Sequence, residues 1–410
     1  MDILILTQYF WPEIFRINEL AALLAKEGNR VTVLTGIPNY PAGRFASGYG
    51  WFRNTRQDYE GVRIIRVPLL PRLAGRSWQL ALNYFSFALS ASVFGPLVCR
   101  GHYDVIFVYE PSPITVGFAS SVLRAIKKAP VAFWVQDLWP ESIAATGAIR
   151  SDWALKAVRR MVRFIYRRCD LILAQSRAFV PEIRRLSPAG ADIRYFPNSA
   201  DTLYRPDSFP AESREARSLP REGFRVMFAG NIGAAQNFET ILAAAEILRE
   251  RKSIQWLILG DGRQRNWVAE QIAKRKLENQ VHLLGMQPVD SMPKWFGLAD
   301  ALLVTLKREP IFALTIPAKI QSYLACGKPC LAAIDGEGAK IIEEAGAGLT
   351  CPAEDPEALA RLVLRMSEMP ASDREKMGAS GLLYFRDNFE IRALLKRLQE
   401  WLRELSYKHS

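Results

Sequence analysis

Lys319 stands in the first turn of a predicted helix. In IPAKIQSYLACGKP (316–329), proline opens the helical pattern, and Gly327 and Pro329 close it. A cation at that end opposes the helix dipole by about 0.3–1 kcal/mol. From this stretch alone two explanations stay open. Lys319 is a solvated surface lysine whose cost is screened, or it shares an anion with the free N–H groups of the helix start, as a phosphate site requires. The loop FAGNIGAAQNF (228–238) supplies a second device of this kind. Gly230 and Gly233 let the backbone approach a ligand, and the helix start that follows offers N–H groups. GDGRQR (260–265) repeats it. A plain strand-to-helix turn explains either glycine pair equally. Glu110 and Asp137 end two apolar runs. They are able to orient a hydroxyl or a sugar, or simply to cap a neighbouring helix.

These residues need strands to hold them. In the N-terminal half, apolar runs at 2–7, 30–36, 62–67, 103–109, 130–137 and 170–176 alternate with helical patterns, and 193–198 closes the series. Continuous apolar strands between helices predict a parallel sheet covered on both faces. Residues 199–223 are polar and rich in Pro, Ser and charge, which reads as a linker. The pattern restarts at 225–230, 254–260, 281–285, 299–305, 329–334 and 348–351, and 389–405 forms an amphipathic helix. The expected organisation is an N-terminal domain over 1–198, a linker over 199–223, a C-terminal domain over 224–385, and a terminal helix within 386–410 that packs back on the first domain. The fold class is α/β, with two Rossmann-like doubly wound domains facing across a cleft. Ligands are expected at the carboxyl ends of the strands.

A chain of 410 residues suits two domains, and its 49% hydrophobic and 23% charged residues are those of a globular protein. The start, MDILILTQYF, has no basic region of the signal-peptide kind. Five scattered cysteines point to a reducing compartment, and three isolated histidines give neither a zinc pattern nor a Ser–His or Cys–His pair. The net charge of +12 suits nucleic acid, an anionic membrane face or phosphorylated substrates, and no nucleic-acid motif accompanies it. Residues 78–98 are long and apolar enough to span a bilayer. Asn83, several serines and a break at Gly95-Pro96 favour a buried or partly membrane-facing crossover helix. Residues 156–169 form a basic amphipathic helix, a core cover with a solvated arginine face or a contact for anionic head groups.

In order and spacing, the motifs QYFWPE (8–13), VYEPSP (108–113), VQDLWPES (135–142), FPNSADTLYRP (196–206), FAGNIG, LILGDG, VHLLG and IPAKIQSYLACGKP resemble the retaining glycosyltransferases of family four, which have the GT-B fold. The opening loop, PNYPAG and DLWPE are similar to the branch that builds bacterial surface polysaccharides, including amino-sugar or fucosamine transferases acting on lipid-linked acceptors. The resemblance implies roles by position. Gly230, Asn231 and Gly233 would lie beneath a donor diphosphate, and Lys319, with Ile320 beside it, would bind that diphosphate. Lys307 and Arg308 would add positive charge there, or are surface charges on a loop. Gln8, Arg16 and Asn18 would face the substrate from the first domain, although Asn18 equally suits a helix cap. The family places two glutamates eight residues apart around the lysine helix, the later one at the ribose. Leu314 and Ser322 stand at those positions. Asn231 and Gln236 occupy places that often hold Arg and Lys, and Tyr109 precedes Glu110-Pro111 where many members have His.

The resulting expectation is a retaining, metal-independent glycosyltransferase without a cofactor. It takes a nucleotide-diphosphate sugar, UDP-linked by preference, and a polyprenyl-diphosphate-linked acceptor. Tyr109, Glu110 and Asp137 are the catalytic candidates. The expected place is the cytoplasmic face of the plasma membrane, against an anionic surface and without nucleic acid. The alternative is a catalytically weak relative that binds a sugar nucleotide or a partner enzyme.

Overall fold

The computed structural model describes residues 1–145, 151–220 and 222–409. The chain forms two compact units, Met1–Pro197 with Leu394–Ser410, and Asn198–Ala393. The first is built on β1 (Asp2–Leu6), β2 (Arg30–Gly36), β3 (Arg56–Tyr59), β4 (Val62–Val67), β5 (Val105–Glu110), β6 (Val131–Val135), β7 (Leu171–Ala174) and β8 (Ile193–Tyr195). They lie in the order β3-β4-β2-β1-β5-β6-β7-β8. Strand β3 pairs antiparallel with β4, whereas the pairs flanking β1 and β5 are parallel. Every residue of β5 and β6 is buried, as their unbroken apolar runs require. The edge strand β3 was not expected. Its sequence, RQDY, is half exposed and carries no apolar alternation that would mark it.

The second unit holds β9 (Phe224–Ala229), β10 (Ile254–Leu259), β11 (Val281–Gly285), β12 (Ala301–Thr305), β13 (Cys330–Ala333) and β14 (Gly348–Cys351). Their order is β11-β10-β9-β12-β13-β14, all in parallel pairs. In each sheet the chain winds outward one way and then crosses to the other side. The turning points lie between β1 and β5 and between β9 and β12. Ligands bind at such points in open α/β sheets, at the carboxyl ends of the strands.

Local differences from expectation have local causes. The helix Ser77–Val98 runs through Gly95 and Pro96 and does not break there. The missing side chain of Gly95 admits Leu34, whose Cδ2 would lie 2.8 Å from an added Cβ. Residues 198–220 belong to the second unit, where a short helix at Arg214–Arg217 is capped by Ser213 accepting from the Ala216 N–H at 3.1 Å. The last helix spans Ile391–Tyr407, and its later part packs in the first unit. There Glu404 pairs with Arg194 at 2.9 Å, and the Trp401 ring meets Phe196 at 6.0 Å. All five cysteines are free thiols.

Candidate functional site

In the second unit the lysine helix spans Ala318–Ala325, with Pro317 at its N-cap and Gly327 in the left-handed region just past its end. Tyr323 anchors it. Its hydroxyl accepts from the Ala229 N–H at 3.3 Å and donates to the Leu303 carbonyl at 3.4 Å. The last turn of the helix is thereby pinned to the end of β9 and the middle of β12, beside the turning point of the sheet. Lys319 extends from the first turn over the ring of Phe228, with Nζ 3.5 Å from the centroid. The stem is partly exposed, but Nζ is buried and has no hydrogen-bond partner among the described residues. Burial lowers its pKa to about 7. A buried amine that meets only a ring face and a bare glycine is suited to an anion, which would accept its N–H groups and favour its charged form.

The glycines make this arrangement possible. Gly230 has φ +134°, and a Cβ there would lie 2.9 Å from Lys319 Cε. Its bare face therefore receives the lysine. Gly260, with φ +133°, lets the loop after β10 cross the loop after β9, because a Cβ would lie 1.9 Å from the Gly230 carbonyl oxygen. The loop does not run straight into a helix as expected. A single 3-10 turn at Ala234–Gln236 intervenes, Asn237 adopts φ 48°, and the helix starts at Phe238. The side chains of Asn231 and Gln236 both border Gly233, and Gln236 Oε1 is buried without a hydrogen-bond partner among the described residues. Amides stand where stronger cations were a possibility.

The remaining second-unit candidates divide. The Lys307 side chain is exposed, and its backbone N–H donates to Ala235 at 2.9 Å, which ties it to the glycine loop. Arg308 is turned away. It donates to the Ala353 carbonyl at 2.6 Å and pairs with Asp335 at 3.4 Å. Ile320 is a core side chain, fully buried. Its N–H already donates to the Pro317 carbonyl at 2.9 Å. The Ser322 hydroxyl donates back to the Ala318 carbonyl at 3.2 Å. Sequence reasoning passed over Glu337, a buried acid that opens the helix Glu337–Glu344. That helix start packs on the lysine helix through Gly338, where a Cβ would meet Pro317 and Ile320 within 3.0 Å.

In the first unit, the ends of β5 and β6 hold a carboxyl pair. Glu110 is fully buried, and one oxygen accepts from the Asp137 N–H at 3.4 Å. The other oxygen has no hydrogen-bond partner among the described residues. Burial, reinforced by the nearby Asp137 charge, raises Glu110 well above the usual carboxylate range. Asp137 is also raised by burial, against hydrogen bonds from Ser142, Trp139 and Ser112 that lower it. Tyr109 is 4% exposed and packs on the Trp134 ring at 5.3 Å. Burial pushes its hydroxyl up to about 12, against the opposing charge of Arg16.

Gln8 follows β1 and is buried, donating to Asn83 at 2.7 Å while its Oε1 is unpartnered. Asn18 is no helix cap. It lies inside Arg16–Lys26 and donates to the Glu13 carbonyl at 2.7 Å. Glu13 has no role assigned from the sequence alone, yet it holds two loops together. Its Oε1 accepts the Asn39 and Tyr40 N–H groups at 2.7 and 2.6 Å, and burial raises its pKa to about 7. Arg72 joins this wall by donating to the Tyr9 hydroxyl at 2.9 Å and lying over the Tyr40 ring. A buried tyrosine just after β1 and a glutamate in W-P-E were the available signals.

Two doubly wound units, each with polar groups gathered at its turning point, define the GT-B class of glycosyltransferase. Residues 15–199 match the family described as Glycosyl transferase 4-like domain, and residues 223–369 match Glycosyl transferases group 1. The chain belongs to these glycosyltransferase families. WbjE of Pseudomonas aeruginosa, named a probable glycosyltransferase, is 32% identical over 58% of this chain, and the match spans 60% of WbjE's own length. WcaI of Escherichia coli K12, named for colanic acid biosynthesis, is 25% identical over 80% of this chain and 82% of its own. Among solved structures, Anabaena HepE in complex with UDP superposes with a TM-score of 0.71 at 16% identity, covering 98% of this chain and 100% of that one. Sucrose-phosphate synthase from Thermosynechococcus elongatus also gives 0.71, at 18% identity, over 100% and 99%.

Proposed function

We propose that this glycosyltransferase binds a nucleotide-diphosphate sugar on its second unit, with the diphosphate at Lys319, and passes the sugar to a lipid-linked saccharide during synthesis of a bacterial surface polysaccharide. The observation that carries the donor half is the buried Lys319 Nζ without a hydrogen-bond partner beside the glycine crossing. The polysaccharide half is supported by the names of WbjE and WcaI, and UDP as the donor nucleotide by the HepE complex. An N-acetylated amino-deoxy sugar such as fucosamine is the sugar that the branch resemblance favours. The working place is the cytoplasmic face of a membrane.

The chemistry asks little covalent work of the protein. A nucleoside diphosphate is a good leaving group, and the site must meet the charge that grows on it. A dianion brought to Lys319 returns the lysine to its charged form, and the N–H groups of Asn231, Gly233, Ala234 and Ala235 add neutral donors, those of Gly230, Ile232 and Gln236 being bonded within the protein. Retention follows if the acceptor hydroxyl attacks the face from which the diphosphate leaves and gives its proton to a leaving phosphate oxygen. No protein nucleophile and no metal enters that scheme. Among the described residues no group of three or more His, Cys, Asp or Glu has metal-holding geometry. In the first unit, Glu110 and Asp137 are hydrogen-bonding groups for a sugar or acceptor hydroxyl.

Calorimetry with UDP, GDP, dTDP and CMP on the wild type and Lys319→Ala tests this reading. Micromolar binding of one nucleoside diphosphate, weakened about tenfold or more by the substitution, supports it; tenfold is about 1.4 kcal/mol. No binding, or an indifferent Lys319→Ala, removes the donor site from this place. Binding without any turnover of a matching nucleotide sugar and lipid-linked acceptor favours the binding-only relative, a reading that Leu314 and Ser322 at the two glutamate positions keep open.

A further inference from the structure

We infer that the helical layer of the first unit formed by Ser77–Val98, Val116–Lys127 and Asp152–Tyr166 is a docking face for an anionic lipid bilayer. The inference rests on the reading of a lipid-linked acceptor, for which it supplies the surface. Its own basis is a stripe of large apolar side chains left in solvent. On Ser77–Val98 these are Trp78, Leu82, Phe85, Leu89, Val93 and Leu97, exposed by 57, 49, 54, 68, 53 and 65%. Steps of three and four residues place all six on one side of the helix. The stripe runs the length of a 22-residue helix, about 33 Å. Water-soluble surfaces scatter such residues singly and rarely line them up.

The helix lies on the layer and does not cross a membrane. Its other side, with Asn83, Phe87, Ser90, Ala91 and Gly95, is buried in the unit. Asn83 is fixed there by Gln8 and by the Leu70 carbonyl, to which it donates at 2.5 Å. Withdrawing it into lipid would strip the β1 loop of its support.

Charge selects the occupant. Residues 61–103 contain no Asp or Glu, and neither do residues 116–127. The adjoining helix Asp152–Tyr166 has one acid, in its first turn, and exposes Lys156, Arg159, Arg160 and Arg163, with Arg167 and Arg168 just beyond. The three helices pack side by side. Phe118 meets Phe164 at 5.8 Å, and Arg168 covers the far side of that ring at 3.6 Å. Trp153, 78% exposed, stands at the start of the basic helix. An apolar stripe beside a row of cations, with aromatic rings at the border, matches the acyl boundary and head groups of an anionic leaflet. A second copy of this chain fits worse, since a two-fold contact would press like charges together.

The test is co-sedimentation of the full chain with phosphatidylcholine vesicles, with and without phosphatidylglycerol. Phe85→Glu/Leu89→Glu breaks the stripe, and Arg159→Glu/Arg163→Glu reverses the cations. All four positions are solvent-exposed, and circular dichroism with UDP calorimetry verifies that each variant is folded. The expected result is binding to phosphatidylglycerol vesicles only, falling as salt rises from about 0.1 to 0.5 M. Each double variant should lose about tenfold or more in vesicle partitioning while its nucleotide binding is unchanged. Equal sedimentation of wild type and both variants overturns the inference. So does a dimer in sedimentation equilibrium that Phe85→Glu/Leu89→Glu dissolves, without vesicle binding by the wild type. Vesicle binding absent with UDP binding intact sinks the surface and leaves the transferase reading. Vesicle binding present with no nucleotide binding does the reverse.

Discussion

Strands β1 and β9 hold the same place in their sheets, beside the turning point, yet they hand over to opposite kinds of loop. After β9 come Gly230 and Gly233, and two bare backbones cross so that Lys319 lies against one of them. After β1 come Gln8 and Tyr9, whose side chains fill the space and bond to Asn83 and Arg72. Each unit also holds a buried ionisable group short of a hydrogen bond among the described residues, Lys319 in the second and Glu110 in the first. Burial drives the base down to about 7 and the acid up, so the charged form of each is disfavoured. The contrast lies in what would relieve them. A dianion would give the lysine back its charge, whereas a carboxyl held above its usual range favours a hydrogen-bonding neighbour over an anion. Equivalent strand ends of one fold thus carry different chemistry through their loops.

The sharpest way to break this contrast is Gly260→Ala. The new Cβ would sit 1.9 Å from the Gly230 carbonyl, at φ +133°, where no flexible side chain is available to yield. A loss of about 4 kcal/mol or more in denaturant unfolding is expected, with no nucleotide binding in whatever still folds. Gly230→Ala should cost less, about 1–3 kcal/mol, because Lys319 itself is the neighbour and is able to move. Its larger effect falls on nucleotide affinity.

Lys319→Met sharpens the comparison. Nucleoside diphosphate affinity should drop by about 1.4 kcal/mol or more, without loss of stability near pH 7. The pH dependence follows from the sign of the shift. The unfolded chain holds this proton up to about 10.5, the folded chain only up to about 7. Stability from this group therefore rises with pH between those values and is missing below about 7, and Lys319→Met flattens that slope. In the wild type, binding a dianion must refill the proton. Affinity should fall as pH rises above about 7, where the terminal phosphate, with its second pKa of about 6, is already ionised. Lys319→Arg should remove that dependence in a calorimetric pH series.

Glu13→Gln is the counterpart in the first unit. Glu13 keeps its proton up to about 7 when folded, against 4.5 unfolded. Its contribution is full below 4.5 and is lost as pH rises through 7. The amide keeps an oxygen for the Asn39 and Tyr40 N–H groups without the charge. The variant should match or exceed wild-type stability at pH 8, by up to about 1–2 kcal/mol, and gain nothing at pH 4.5. The smallest effect is expected of Glu110→Gln, which keeps a hydrogen-bonding group of nearly the same shape. Stability should change by less than about 1 kcal/mol, so a clear loss of turnover would single out a role in acceptor or sugar contact.

The sequence by itself determined what chain-local physics sets. Unbroken apolar runs defined the buried parallel strands, from DILILT to GLTC. Pro317 and Gly327 bracketed the lysine helix by their fixed and left-handed backbones, and the polar stretch after 198 marked where one pattern stopped and the next began. Lys319 was legible as a cation in the wrong place. Only the tertiary structure decided what lies around it, namely the ring of Phe228, the bare face of Gly230 and the absence of a hydrogen bond, and hence the direction of its pKa. The same holds for Glu13 and Glu110, whose protonation is set by burial that no local pattern encodes. Arg308 shows the reverse case, a promising cation by position that the fold ties to Ala353 and Asp335. The edge strand β3 escaped because edge strands need not be apolar. The stripe on Ser77–Val98 was visible as hydrophobicity, but which side of that helix the core would claim was fixed only when the sheet and the neighbouring helix packed beneath it.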